Sequence, residues 1–252
     1  MDTELQDLAI FNRFNFKLRP FGIKFLLFKP DGIRKLDKKL AFCEMFREAQ
    51  EQEPFYAEVD NFTCVGPILT GMVETDPVFE SGNIGQLLKI FEEARANRRL
   101  YYYLTKLERN SVNYIAFSSL DKISFSPDVV IIAADNTQLE IVLRAMCFAT
   151  GKMWTSKGTP VIGCNWVTTY PYISGEVNFL ITDVSHGMKA KKVFPSGTIL
   201  ISIPYDQLAP IINGLKKIEW EPAMYTEGRD AHDRKFEEAS EQLHNKLASE
   251  RG

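Results

Sequence analysis

Two stretches of the chain decide the fold: DVVIIAADNTQLEIVLRAM at 128–146 and TILISIPYDQLAPIINGLK at 198–216. Each begins with consecutive apolar residues, passes through a short polar turn and ends in an amphipathic helical pattern. An offset of 69 residues superposes their apolar helix positions: Leu139 on Leu208, Val142 on Ile211, Leu143 on Ile212 and Met146 on Leu215. Each stretch therefore predicts a buried strand followed by a helix packed on a sheet. The two are either repeats of one βα unit or separate units that obey the same packing rules.

Strands and helices of ordinary length are indicated along the rest of the chain. Apolar patterns predict strands at 22–28, 55–59, 112–117, 128–134 and 178–182, and helices at 3–14, 35–51, 83–97 and 207–218. The capping-box pattern of Thr137 and Glu140 predicts the start of the helix after 128–134, and the apolar face of that helix predicts a core position for Cys147. We expect an α/β or α+β fold in which helices flank a mixed sheet.

The domain organisation follows from a change in composition near residue 226. Residues 1–225 contain the periodic segments and are expected to form one globular domain. Residues 226–252 are polar, with a thin apolar seam at Phe236, Leu243 and Leu247, and predict a helical tail. This tail is either a surface helix or a contact arm through which copies of the chain form a homo-oligomer.

Composition excludes several classes of protein. The net charge of −3 and the isoelectric point near 5.8 argue against a nucleic-acid-coating protein, which presents a basic face. The longest apolar run, at 129–134, is far shorter than the roughly 20 residues of a membrane span. The N-terminus is acidic and lacks a signal-peptide pattern, so we expect a cytoplasmic protein with no membrane partner. Lys189, Lys191 and Lys192 form a local cluster that is either a solvated patch or a contact for an anionic ligand.

Common catalytic motifs are absent, and the cysteines are the remaining candidates. No phosphate-binding GxxxxGK[ST] loop and no GxSxG elbow occur in the chain. Cys43, Cys64 and Cys164 lie beside polar or turn-forming residues, and thiols in a reducing cytoplasm are core residues, metal ligands or reactive groups. No pair has the CxxC spacing of a metal site, so spacing alone leaves a metal centre, a reactive thiol and a structural role open.

A series of motifs runs in order from about Phe21 to Trp220. They are Cys43-Glu44, Phe55-Tyr56, Asn61 to Gly66, Pro127 to Val130, Gln138, the stretch around Cys164, Pro171-Tyr172, Gly175 to Asn178 and Ile203-Pro204. With these motifs the chain resembles the domain-of-unknown-function family numbered 169, whose members occur in archaea and anaerobic bacteria. The resemblance implies no established activity. It implies that Cys43, Cys64 and Cys164 fall at family cysteine positions, that Cys147 does not, and that a further family cysteine falls within 182–187, where this chain has none.

The leading hypothesis is therefore a metal or iron–sulfur centre, an iron–sulfur cluster or a transition metal ion, bound by Cys43, Cys64 and Cys164. The fourth position would be open or filled by Asp183 or His186, and the chemistry would be redox or lyase-type on a small metabolite. Cys43, Cys64 and Glu44 are the expected catalytic residues, and other expected site residues orient or bind the ligand: Asn61, Gly66, Trp166 and Asn178. Two alternatives stay open, a metal-free enzyme with a cysteine nucleophile and a non-catalytic small-molecule-binding accessory protein.

Overall fold

The computed structural model describes residues 7–250, in which seven strands form one mixed sheet. The strands are β1 (Phe21–Leu26), β2 (Arg34–Lys35), β3 (Phe55–Ala57), β4 (Tyr114–Ser119), β5 (Val129–Ala134), β6 (Asn178–Ile181) and β7 (Ile199–Pro204). Their order across the sheet is β2-β3-β4-β1-β5-β7-β6. Only the edge pair β2 and β3 is parallel among these strands; the other neighbours are antiparallel.

Helices of very different lengths connect the strands. They are α1 (Phe42–Glu51), α2 (Gly66–Leu69), α3 (Pro77–Glu80), α4 (Asn83–Leu87), α5 (Ala94–Tyr101), α6 (Asn136–Phe148), α7 (Gly163–Val167), α8 (Thr169–Ser174), α9 (His186–Ala190), α10 (Tyr205–Lys217), α11 (Ala223–Glu227) and α12 (Arg229–Ser249), with 3-10 helices at Asp7–Phe14, Val59–Asn61 and Thr182–Val184. The expected α/β or α+β class, a mixed sheet flanked by helices, is confirmed.

The two stretches that indicated the fold form the centre of the sheet. All six residues of β5 and all six of β7 are buried, because layers of protein cover both faces of these strands. The strands pair antiparallel, and Ile132 lies opposite Ile201, its equivalent at the offset of 69 residues. The following helices, α6 and α10, approach at equivalent positions too, since a Cβ on Gly214 would lie 2.2 Å from the carbonyl oxygen of Ala145. The two βα units are thus related by a local two-fold arrangement.

Several predicted boundaries are wrong for local reasons. The helix α6 is capped by Asp135, which accepts a hydrogen bond of 2.9 Å from the Gln138 amide, rather than by Thr137 and Glu140. The single helix predicted at 83–97 is two helices, α4 and α5, separated by a turn in which Lys89 has φ +55°. The predicted helix at 35–51 begins only at Phe42. The predicted helix at 3–14 is a 3-10 helix from Asp7, and its first residues lie outside the described part of the chain.

The chain forms two compact units, Met1–Lys216 and Lys217–Gly252. The second unit contains α11 and α12, and its seam residues Phe236, Leu243 and Leu247 are exposed. Between residues 7 and 250, no helix is both long enough and apolar enough to cross a bilayer.

One face of the sheet positions the cysteine-bearing segments. Helix α1 packs its apolar residues Phe42, Met45 and Phe46 against β1 and β4 at the spacing of an amphipathic helix. Successive strand residues point to opposite faces, and the alternate positions Phe21, Ile23 and Phe25 share one core with α1. Cys43 and Cys164 belong to this same core, whereas α6 and α10 contribute no residue to it.

Candidate functional site

Cys43 is the second residue of α1 and lies mostly buried beneath the sheet-facing side of that helix. Ala41 stands at the N-cap of α1 but has no side chain that could cap the helix. Glu44, three residues later, supplies the capping group, and the helix begins at Phe42. The Glu44 carboxylate accepts a hydrogen bond of 2.7 Å from the Ala41 backbone N–H. This contact satisfies one of the otherwise unpaired amides of the first turn. It also holds the acidic side chain beside Cys43.

Cys64 lies in the loop that crosses the N-terminus of α1. Its Sγ atom accepts backbone N–H bonds from Phe42 at 3.2 Å and from Gly66 at 3.4 Å, and the side chain reaches solvent. Gly66 allows the loop to pack against Phe62, since an added Cβ would lie 2.6 Å from the Phe62 ring. The backbone amides that surround the sulfur favour negative charge on it.

Asn61 explains why the Cys43 and Cys64 segments meet. Its buried amide donates to the carbonyl oxygens of Leu36 and Lys38, both at 2.9 Å, and accepts from the Glu58 N–H at 3.0 Å. The side chain therefore joins the approach to α1 with the loop that leads to Cys64. Asn61 was expected to orient or contact a ligand. Its polar atoms instead bond backbone, so it orders the two segments.

Cys164 enters from the opposite half of the sequence, as the second residue of the short helix α7. The preceding Ile162 has φ +58°, a left-handed conformation that a β-branched residue rarely adopts. Gly163 packs against Ser185, whose Oγ would lie 2.6 Å from an added Cβ. The buried Asn165 fixes α7 by accepting from the Thr105 N–H at 3.2 Å and donating to Thr169 and the Thr105 carbonyl. Strain of this kind is concentrated at functional sites in proteins.

The three thiols influence one another electrostatically. Burial raises the pKa of Cys43 from 9.0 to about 12, and negative charge on Cys64 and Glu44 contributes in the same direction. Burial raises the pKa of Cys164 well above its usual value, with further contributions from Cys64 and Cys43. The Cys64 side chain is partly open to solvent, but the surrounding protein desolvates its sulfur and raises its pKa. The hydrogen bonds from the Phe42 and Gly66 amides lower this pKa and only partly offset the desolvation. The structure thus brings together three cysteines from segments far apart in sequence.

Lys191 supplies positive charge at this cluster. Its Nζ lies 3.5 Å from the Glu44 carboxylate, and its charge lowers the pKa of both Cys43 and Cys64. The sequence indicated Lys191 only as a member of a lysine cluster, because nothing in the spacing connects it with Glu44. Gly163 and Ser185 were also missed, although Ser185 falls within 182–187, where the family resemblance implies a further cysteine.

Other expected residues lie away from the sulfur atoms. The Asp183 carboxylate accepts bonds from the Ser196 hydroxyl at 2.8 Å and the Gly197 N–H at 2.7 Å, and His186 is exposed at the start of α9. Neither is among the groups that shift the pKa of a site thiol. Within residues 7–250, no three His, Cys, Asp or Glu side chains are arranged around a common point for a metal ion. Cys147 is partly exposed at the end of α6, so its predicted core position is wrong.

Asn178 and Trp166 support the Cys164 side of the site. The buried Asn178 amide donates to the carbonyl oxygens of Trp166 at 2.7 Å and Lys157 at 2.9 Å, and accepts from the Lys157 N–H at 2.8 Å. The Trp166 indole donates to the Thr159 hydroxyl at 2.8 Å and packs in the core. Both were expected near a ligand, and both hold α7 against β6 through protein contacts.

The fold and the cluster define a mixed α/β protein with three cysteines gathered at the N-termini of two helices. The chain belongs to the DUF169 family, described as "Uncharacterised ArCR", whose family model matches residues 9–214 and so confirms the resemblance. Neither the curated proteins nor the solved structures contain a match to the chain.

Proposed function

We propose that this protein binds an iron–sulfur cluster or a transition metal ion through Cys43, Cys64 and Cys164, in the cytoplasm, and acts on a small metabolite. The observation that carries this proposal is convergence: the Phe42 N–H beside Cys43 donates to Cys64 Sγ, and Cys43 and Cys164 lie in one buried core. Thiolates are the usual ligands of iron–sulfur clusters and of many zinc sites.

The three cysteine thiols are better suited to bind a cationic centre than to exist as three free thiolates. The buried thiols stay protonated at neutral pH because burial and mutual repulsion oppose their ionisation. A bound metal replaces those protons and compensates the charge directly. The thiols do not surround one point in the described residues, so a single ion would require rotation of cysteine side chains.

One position of such a centre would face solvent or substrate. Three cysteines leave a fourth position without a protein ligand, since Asp183 and His186 are directed elsewhere. An open position supplies ligand binding, redox change or polarisation of a substrate oxygen when the centre is present. Glu44 and Lys191 lie beside Cys43 and Cys64, where a carboxylate and an ammonium group could exchange protons with a bound metabolite. These features support redox or lyase-type chemistry.

Anaerobic purification followed by iron, zinc and acid-labile sulfide analysis tests this function. Wild-type protein should contain metal in near-stoichiometric amount, and Cys43→Ser, Cys64→Ser and Cys164→Ser should each lose most of it. Cys147→Ser is the matched control, because Cys147 lies at the end of α6 and should retain the wild-type content. Wild-type metal content no higher than that of the triple serine variant would refute the proposal.

A cysteine nucleophile is the second candidate, and Cys64 is the thiol to test because its side chain is exposed, although desolvation raises its pKa. Two backbone N–H groups and Lys191 act on this sulfur, and its side chain is exposed. Metal-free protein should then react with iodoacetamide at Cys64 much faster than at Cys43 or Cys164, as resolved by mass spectrometry of the labelled peptides. Uniformly slow labelling of the three thiols would exclude this candidate.

A further inference from the structure

A second, basic pocket lies one helical turn beyond Cys43. Its volume is about 640 Å³, within the usual range for small-molecule sites. Its walls come from α1, from the end of α9 and from the loop after it: Arg47, Asp183, Lys189, Lys192, Val193, Phe194, Pro195 and Ser196. Three of these side chains are cationic and one is acidic.

The positive groups of this pocket are incompletely paired. Arg47 bonds Glu51 through Nη2, whereas its Nη1 is buried and has no hydrogen-bond partner. Among residues 7–250, neither Lys189 nor Lys192 has a carboxylate within ion-pair distance. The Asp183 carboxylate accepts from Gly197 and Ser196 at Oδ2, and these two donors together with the charge of Lys189 lower its pKa.

The backbone at Lys192 adds an independent observation. Lys192 has φ +51° immediately after α9, in the position where helices usually end with glycine or asparagine. Hydrogen bonds from Lys192 N to Lys189 O at 3.0 Å and from Val193 N to Met188 O at 3.0 Å close this turn. A lysine here accepts a strained conformation while its ammonium group lines the pocket.

We propose that this pocket binds a small anion that carries a phosphate or carboxylate group, held by Arg47, Lys189 and Lys192. The Arg47 guanidinium and the two ammonium groups, which line the pocket, neutralise the charge of the anion. Val193, Phe194 and Pro195 form the apolar wall against which the carbon part of the ligand packs. The inference concerns binding only and does not rest on the metal centre proposed above.

Calorimetric titration with inorganic phosphate and with citrate tests the pocket, because these probes represent the two anion classes. Arg47→Gln and Lys192→Gly should each weaken binding about tenfold or more, as expected for lost charge-assisted hydrogen bonds. Arg95→Gln is the matched control, since Arg95 is 86% exposed and pairs with Glu93 outside the pocket. Tighter binding of phosphate or of citrate identifies the anion class.

Lys192→Gly also distinguishes a loss of anion binding from a loss of folding stability. Glycine relieves the left-handed strain, so this variant should unfold at a temperature no lower than that of wild type while binding the anion more weakly. A triple Cys43, Cys64 and Cys164 to serine variant should bind the anion as wild type does, which keeps the test distinct from the metal proposal. Failure of both probes to bind, or equal affinity in Arg47→Gln, Lys192→Gly and wild type, would overturn the inference.

Discussion

Replacing Cys43 by serine should flatten the dependence of stability on pH above the ordinary pKa of a thiol. The Cys43 pKa is raised from 9.0 to about 12 in the folded protein, chiefly by burial. Between these values the unfolded chain has lost the Cys43 proton while the folded chain keeps it. The folded state therefore binds more protons, and the free energy of unfolding falls as pH rises.

The magnitude follows from the width of that interval. Each pH unit above the unfolded pKa costs about 1.4 kcal/mol of stability, so a rise from about pH 9 to about pH 10.5 costs wild type about 2 kcal/mol through this group alone. The complete shift corresponds to about 4 kcal/mol. Serine does not ionise in this range, so Cys43→Ser should lose about 2 kcal/mol less than wild type.

Urea unfolding of metal-free protein under argon, with a phosphine reductant, measures this difference at several pH values. Loss of packing in Cys43→Ser changes its stability equally at every pH and leaves the slope informative. The contributions of Cys164, lysines and tyrosines are common to both proteins and cancel in the comparison. Cys147→Ser should keep nearly the wild-type slope, because Cys147 is partly exposed. Identical slopes for Cys43→Ser and wild type would show that the thiol is not shielded.

Two further substitutions examine the supports of the Cys164 segment by urea unfolding. Gly163→Ala should destabilise the protein by about 1–3 kcal/mol, because its Cβ would lie 2.6 Å from Ser185 Oγ. Gly187→Ala is the control, because no atom lies within 4 Å of the added Cβ, and it should be neutral or stabilising by up to about 1 kcal/mol. Equal changes in stability for Gly163→Ala and Gly187→Ala would contradict the packing argument. Asn178→Ala should lower the free energy of unfolding by about 3 kcal/mol, because it leaves three backbone groups without partners. Asn113→Ala, at an exposed position, should lower it by less than about 1 kcal/mol. A smaller loss at Asn178 than at Asn113 would count against this role of Asn178.

The centre of the sheet could be predicted because its signals are local. Consecutive apolar residues in β5 and β7 leave no solvated face, and amphipathic patterns place α6 and α10 directly after them. The same reasoning failed at 83–97, where Leu87 and Leu88 are exposed at 80% and 57% although they fit a buried helical stripe. Exposure depends on what packs nearby, and local spacing does not contain that information.

The sequence selected the cysteines of the candidate site but gave no indication of the residues around them. The family resemblance selected Cys43, Cys64 and Cys164, whereas their spacing left several roles open. The pairing of Lys191 with Glu44 and the backbone contacts of Asn61 arise from tertiary structure and leave no sequence signal. Asp183 and His186 were plausible ligands by residue type, and local hydrogen bonding or surface position places them elsewhere.

Around the symmetric pair of β5 and β7, the two sides of the sheet carry different parts of the molecule. On one side, α6 and α10 meet at matching positions, Ala145 and Gly214, so a side chain added at Gly214 would displace the two helices from each other. The segments at 27–113 and 135–198 carry Cys43, Cys64 and Cys164, and Cys43 and Cys164 lie in the core on the other side. Because these contacts hold the central strands, the cysteine-bearing segments can change in length or composition without a change in the register of β5 and β7.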